Sequence, residues 1–307
     1  MNLVGNLQLV SVNHRLDTSA EALGELRDSS YLVGDAEALR IRMEEDGYLY
    51  LRGFFKREDV MAARAVMVER LAAEGLLQAG TDPMDAIIKT GAESSFRSDL
   101  TKANLPLERL IYGDALMEFY RDFFGEAVLH YDFTWLRAMG PGKGTRPHCD
   151  MVYMGRGTRE KLLTAWVPLG DASLQLGGLM ILEGSHHKHE ILRPYLERDV
   201  DDYCTNGRYA GEIETGARQW EWDGCLSKDP VSLREKLGGR WLTTDYEAGD
   251  LLTFPMYTVH ASLDNQTDRI RFSSDSRYQP ASLPPDERWM GQKPIGHSFA
   301  GKRGRIC

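Results

Sequence analysis

Four residues constrain this chain more than anything else in it: His148, Asp150, His260 and Arg271. The stretch Pro147-His148-Cys149-Asp150 offers an imidazole and a carboxylate two positions apart, and in extended backbone residues i and i+2 point to the same side. A second imidazole follows in Tyr257-Thr258-Val259-His260-Ala261-Ser262. Two imidazoles and one carboxylate occupy one face of an octahedral ion and leave three positions open, the arrangement of non-haem Fe(II) oxygenase sites. Only a fold that gathers distant strands around one mouth can bring residues 148 and 260 together.

An HxD pair alone is a weak signal, because His and Asp near turns commonly satisfy backbone groups. The sequence around the second imidazole strengthens it. Segments 251–254, 259–263 and 270–278 read as strands, and Asp264-Asn265-Gln266-Thr267-Asp268 is turn-forming. Folding a hairpin about the midpoint of Asn265 and Gln266 sets His260 opposite Arg271, with Ser262 on the face of His260. A guanidinium and a hydroxyl beside a metal ligand form a socket for a dicarboxylate co-substrate, since Arg presents a paired fork of donors. The bland alternative for Arg271 is a surface cross-strand ion pair, and the upstream HxD pair weighs against it. Arg269 and Arg277 are the nearest rivals for the socket.

The chain resembles the phytanoyl-CoA dioxygenase family of Fe(II)/2-oxoglutarate-dependent oxygenases from about Asp35 to about Tyr278. The likeness rests on Asp46-Gly47-Tyr48-Leu49-Tyr50-Leu51-Arg52-Gly53-Phe54, on the His148-Cys149-Asp150 pair and on Thr164-Ala165-Trp166-Val167-Pro168-Leu169. It continues through Gly177-Gly178-Leu179-Met180-Ile181-Leu182-Glu183-Gly184-Ser185-His186, Gly249-Asp250, His260-Ala261-Ser262 and Arg271. The resemblance implies that His148, Asp150 and His260 hold iron, that Arg271 grips the distal carboxylate of 2-oxoglutarate with help from Ser262, and that Trp166 lines the co-substrate pocket. Glu183 stands where the family often has proline, a difference confined to a turn. Related halogenases lack the carboxylate ligand, so Asp150 points to hydroxylation, with desaturation or cyclisation still open.

A chain of 307 residues with 42% hydrophobic content can bury a large core. No linker, repeat or low-complexity tract divides it, so one domain over 1–307 is expected. The net charge of −9 argues against a nucleic-acid or anionic-membrane partner. No run approaches a membrane span and the start lacks a signal-peptide pattern, which favours a cytoplasmic protein. Cys149, Cys204, Cys225 and Cys307 show no CxxC spacing, in keeping with that compartment. Cys149 should turn away from its two neighbours as a small buried filler.

Helices are expected first, over about 35–125, and then a strand-rich body. Val60, Ala63, Met67 and Leu71 recur at helical spacing before Gly75. Asp114 is placed to cap a second helix carrying Leu116, Phe119, Tyr120 and Phe123, stopped by Gly125. Residues 128–138 read as one strand leading into the Gly-Pro-Gly-Lys-Gly loop at 140–144, and strands at 162–167 and 179–182 precede the three above. Short strands between turns suit a double-stranded β-helix, a cupin-like jelly roll. The excursion at about 197–241, with Asp199, Asp201, Asp202, Tyr203, Trp220, Trp222, Asp223 and a helix near 232–237, is either a lid or outer-wall packing. Lys89, in the 75–104 segment, either reaches the co-substrate or faces solvent, and solvent is the expectation. His186, His187 and His189 do not form a second metal site, because adjacent histidines do not share a strand face.

The sequence therefore reads as a dioxygenase using Fe(II), 2-oxoglutarate and O2 to hydroxylate a small-molecule substrate, with release of succinate and CO2. Two rivals are a metal-dependent hydrolase, in which the same ligands hold zinc, and a non-catalytic cupin-like binding protein. The carboxylate socket speaks against the first and the intact triad against the second. Substrate and oligomeric state are not legible.

Overall fold

Alternation along the strands builds the fold. The computed structural model describes residues 7–215, 217–218 and 222–307. In the strand Leu163–Pro168, Leu163, Ala165 and Val167 join one apolar core while Trp166 joins another on the opposite face. Leu251–Pro255 divides in the same way, with Leu251 in the first core and Leu252 and Phe254 in the second. These strands are sandwiched, hence buried on both sides and apolar on both sides.

The larger sheet runs in the order Leu49–Leu51, Leu251–Pro255, Leu163–Pro168, Arg271–Pro280, with antiparallel pairing throughout. Beyond Arg271–Pro280 both Val128–His130 and Trp135–Met139 pair with the same strand. The smaller sheet runs His260–Ser262, Leu179–Leu182, Trp241–Thr243, Leu23–Glu25. The two sheets face each other across Trp166, Leu252 and Phe254 on one side and Leu179, Ile181 and Leu242 on the other. The architecture is a double-stranded β-helix with flanking helices, as the pattern of short strands leads one to expect.

The helix Arg57–Ala73 buries Val60, Ala63, Met67 and Leu71 completely against the outer face of the larger sheet, each contributing about 1.5–3 kcal/mol where the side chain is large. Gly75 follows in the left-handed region at φ 71°. The helix Asp114–Phe124 buries Leu116, Phe119, Tyr120 and Phe123 and ends at Gly125, also left-handed. Asp114 is its first helical residue, not its cap: Gly113 holds the cap position and supplies no side-chain acceptor.

Two further expectations fail. Residues 128–138 form two strands, not one, because 131–134 leave the sheet between Val128–His130 and Trp135–Met139. More important, His260–Ser262 and Arg271–Pro280 are not a hairpin. They belong to different sheets, His260 opposite Ile181 and Arg271 opposite Met139. The turn-forming residues between them anchor a crossover. Asp264 accepts from the amides of Val12 and Asn13, and Asn265 donates to the carbonyls of Met139 and Arg269.

The insertion holds the helix Pro230–Leu237 and the strand Asp202–Cys204, which pairs in parallel with Arg303–Arg305 near the carboxyl end. A disulfide joins Cys204 to Cys307. Spacing gave no sign of this pair, because only the tail strand brings the two together. Disulfides are rare in reducing compartments, so cysteine usage no longer supports a cytoplasmic location. Trp222 packs on Tyr195 beneath the Arg198 guanidinium, and Trp220 lies outside the described residues. Among those residues no helix is long and apolar enough to cross a membrane.

Candidate active site

His148, Asp150 and His260 converge. His148 and His260 are paired through the backbone, each amide donating to the other's carbonyl at 3.0 Å. Asp150 is not extended. Its helical backbone, φ −65° and ψ −20°, opens the short helix Met151–Met154, so the two carry their side chains together across a strand-to-helix bend. The free nitrogens approach one carboxylate oxygen: His148 Nε2 lies 3.7 Å and His260 Nε2 3.8 Å from Asp150 Oδ1. All three atoms lie within 4.8 Å of one another, and among the described residues no other group of His, Cys, Asp and Glu is so arranged.

The remaining polar atoms of the triad are spoken for. His148 Nδ1 donates to the Arg146 carbonyl at 2.7 Å and His260 Nδ1 to the Thr258 carbonyl at 3.0 Å. That fixes both tautomers with lone pairs on Nε2. Asp150 Oδ2 accepts from Arg277 Nη2 at 2.8 Å and Thr164 Oγ1 at 2.6 Å, leaving Oδ1 unshared. Burial pulls His148 down to about 3, with repulsion from His260 adding to it, and burial lowers His260 as well. Burial pushes Asp150 up, but Arg277, the two imidazoles and Thr164 outweigh it and hold the carboxyl below the ordinary range. Two neutral imidazoles and one ionised carboxylate suit a divalent cation.

Two family-type motifs buttress this site. His186 Nε2 donates to the Glu44 carbonyl, and a Cβ at Gly47 would lie 2.2 Å from His186 Nδ1, so the Asp46-Gly47-Tyr48 and Gly184-Ser185-His186 segments require each other. Thr258 Oγ1 then donates to the Gly47 carbonyl and Ser185 Oγ accepts from the Val259 amide, steadying the approach to His260. His187 and His189 are exposed.

A narrow cleft runs from the triad between the sheets, lined by Trp166, Phe254, Ser262 and Arg271 among others. Arg271 is 2% exposed. Its Nη1 donates to Ser273 Oγ at 3.0 Å, while its buried Nε has no partner among the described residues. Burial, with Arg137 nearby, lowers its pKa to about 10. A desolvated guanidinium without a carboxylate partner is costly, and it fits an anion supplied from outside the chain. Ser262 Oγ accepts from the Thr145 amide at 2.7 Å. Arg269 points outward to Asp85 and Arg277 is committed to Asp150. Lys89 is exposed and Cys149 is buried away from the site.

Next to the cleft, and sharing Arg137, Thr145 and His148 with it, a cavity of about 530 Å³ opens toward solvent, within the range of small-molecule sites. Phe96, Trp135, Met139 and Met154 give it apolar walls, and Arg137, Tyr153, Asp223, Cys225 and His297 add polar groups. The insertion thus supplies Asp223 and Cys225, and the tail supplies His297. Arg277 stands out in the sequence only as a rival for the socket and Asp223 only within the 197–241 excursion, while Thr164 and the other cavity residues do not stand out. A signal existed for the first: alternation along Arg271, Ser273, Asp275 and Arg277 puts all four on one face, where Arg137 pairs with Asp275.

A model of the phytanoyl-CoA dioxygenase (PhyH) family matches residues 43–273. The 1-deoxypentalenic acid 11-beta-hydroxylases of Streptomyces exfoliatus and Streptomyces arenae are each 27% identical to this chain, over 274 and 279 residues, covering 85% of it and 87% of their own length. Among solved structures, SnoK, a non-heme alpha-ketoglutarate-dependent carbocyclase from nogalamycin biosynthesis, superposes with a TM-score of 0.57 at 18% identity, covering 84% of this chain and 89% of its own. The epimerase SnoN, solved with Fe3+, alpha ketoglutarate and nogalamycin RO, gives 0.54 at 20% identity, with 85% and 93% covered. At such identities the structural likeness speaks for the fold.

Proposed function

This chain belongs to the phytanoyl-CoA dioxygenase family, and on that footing we propose that it hydroxylates an unactivated C–H bond of a small organic metabolite. It is an oxidoreductase dependent on Fe(II), 2-oxoglutarate and O2, as the family is. His148 Nε2, His260 Nε2 and Asp150 Oδ1 are the atoms that would hold the iron, and Arg271 with Ser262 would hold the far carboxylate of the keto acid, beside Trp166. When bound, iron and 2-oxoglutarate supply oxidative decarboxylation to succinate and CO2, coupled to insertion of one oxygen atom of O2 into the C–H bond.

The chain's own residues supply geometry. Arg277 and Thr164 hold one oxygen of Asp150 so that the other faces the metal position, and the backbone pairing of His148 with His260 sets the separation of the imidazoles. Trp135, Met139 and Phe96 would bind the apolar body of the substrate and exclude water, with the 197–241 insertion as a lid. Helices, jelly roll and insertion act as one catalytic unit, because each borders the cavity. The observation that carries the reading is the convergence of three unshared donor atoms, His148 and Asp150 at the cavity and His260 at the cleft. The related 1-deoxypentalenic acid hydroxylases make 1-deoxypentalenic acid a sensible first compound in a metabolite screen scored by succinate formation. A ligand-dependent rise above the uncoupled rate, with an oxygenated product, supports the proposal. Tight zinc retention with no visible charge-transfer band from anaerobic Fe(II) and 2-oxoglutarate would overturn it.

A further inference from the structure

The carboxyl-terminal tail brings His297 to the wall of the cavity. Asp201, fully buried in the insertion, accepts from Arg288 Nη1 at 2.5 Å, Lys302 Nζ at 2.5 Å and His297 Nδ1 at 2.8 Å. Arg156 and Arg288 also reach Asp199, Arg288 pairs with Asp286, and Asp202 faces Arg156 and Arg305. Four carboxylates (Asp199, Asp201, Asp202, Asp286) thus meet the cations Arg156, Arg288, Lys302 and Arg305 around the His297 ring. A carboxylate only accepts, so Nδ1 carries a hydrogen, and in the neutral ring Nε2 then keeps its lone pair.

The ring is held from its sides as well. Trp289 and Tyr153 meet it edge-on at 4.8 and 5.9 Å, and Tyr153 in turn meets the His148 ring at 5.6 Å. His297 borders the same cavity as His148 and Asp150, and among the described residues its Nε2 bonds to nothing. The tail cannot drift, since its last strand pairs with Asp202–Cys204 and the disulfide ties Cys307 to Cys204. The cavity thus contains an oriented imidazole, with Nε2 free for a ligand, two ring contacts away from a candidate iron ligand.

We propose that His297 is a specificity-determining residue that accepts a hydrogen bond from a hydroxyl group of the substrate, at the end of the molecule remote from the reacting C–H bond. The inference rests on the dioxygenase reading of the site and narrows its substrate to a mainly apolar alcohol. Asp201 is a positioning residue that acts through His297. Tyr153 does not donate to the same hydroxyl, because its own O–H goes to the Asp223 carbonyl at 2.6 Å.

The test uses a panel of mainly apolar small-molecule alcohols, each matched with its O-methyl ether. Binding is read as perturbation of the charge-transfer band of the protein loaded anaerobically with Fe(II) and 2-oxoglutarate. The parent should bind alcohols about three- to tenfold more tightly than ethers, the yield of one net hydrogen bond. His297→Phe should keep the band and the ether affinity but lose the preference, and His297→Gln, which retains an acceptor, should restore part of it. A parent that binds alcohol and ether alike overturns the assignment, as does a His297→Phe variant that keeps the preference. A panel in which no member perturbs the band overturns it too, because the cavity then takes another class. A parent that forms no band overturns the reading beneath the assignment, and the assignment with it.

Discussion

The cleft and the cavity meet at the triad, sharing Arg137, Thr145 and His148, but are otherwise built from different materials. The cleft is strand-borne: Trp166, Phe254, Ser262 and Arg271 come from paired strands with both faces buried. The cavity is largely loop-borne: Phe96, Arg146, Asp223, Cys225 and His297 come from the helical region, the loop before His148, the insertion and the tail. A co-substrate common to a family needs a socket that cannot vary, and a sheet supplies one. A substrate particular to one protein needs walls that change without disturbing the sheet, and loops supply those.

Variants test how separate the two halves are. The largest effect should come from Asp150→Ala, which abolishes succinate formation and iron retention, measured by metal analysis and turnover. Near-normal turnover would remove Asp150 from the ligand set and dissolve the shared boundary. Arg277→Met strands the buried carboxylate, a loss of about 3–5 kcal/mol for a broken buried pair. Denaturant unfolding should show the full loss in metal-free protein and a smaller one with a divalent ion bound, since the ion takes over the pairing. Equal losses in both states would mean that Asp150 does not face the ion.

Arg271→Ala should leave iron binding intact and weaken 2-oxoglutarate by about 2–5 kcal/mol, tens- to thousands-fold, in a titration of the iron-loaded protein. Loss of 2-oxoglutarate binding in Arg269→Ala, with Arg271→Ala like the parent, would move the socket to the surface. Ser262→Ala should cost less, about 1.5–3 kcal/mol for one bond to a charged group. The smallest effect on the cleft should come from the cavity variant Phe96→Ala. It should leave 2-oxoglutarate affinity unchanged while altering which compounds in the screen raise succinate formation. A large shift in 2-oxoglutarate affinity there would show that the two regions are coupled.

The same division explains what could be read from the chain. His148, Asp150, His260, Arg271, Ser262 and Trp166 stand in short motifs whose residue types are constrained by chemistry, and the structure gathers all six. The route to Arg271 was nevertheless wrong. Strand pairing in a jelly roll joins strands distant in sequence, and the crossover at Asp264 and Asn265 imitates a tight turn in composition. His297 leaves no local trace, and Asp223 shows only as one member of the 197–241 excursion, because their place at the cavity depends on an insertion and a tail that meet only after folding. The Cys204–Cys307 bond was hidden for the same reason.

One detail of the sheet has a kinetic consequence. His148 and His260 exchange two backbone hydrogen bonds, and each imidazole is pinned by its Nδ1 to a carbonyl two residues earlier in its own segment. Separating the two rings therefore means opening the sheet edge, not rotating a side chain. The amides of both residues should exchange with solvent in a single concerted event, and the lifetime of any ion held between them would be tied to that opening frequency.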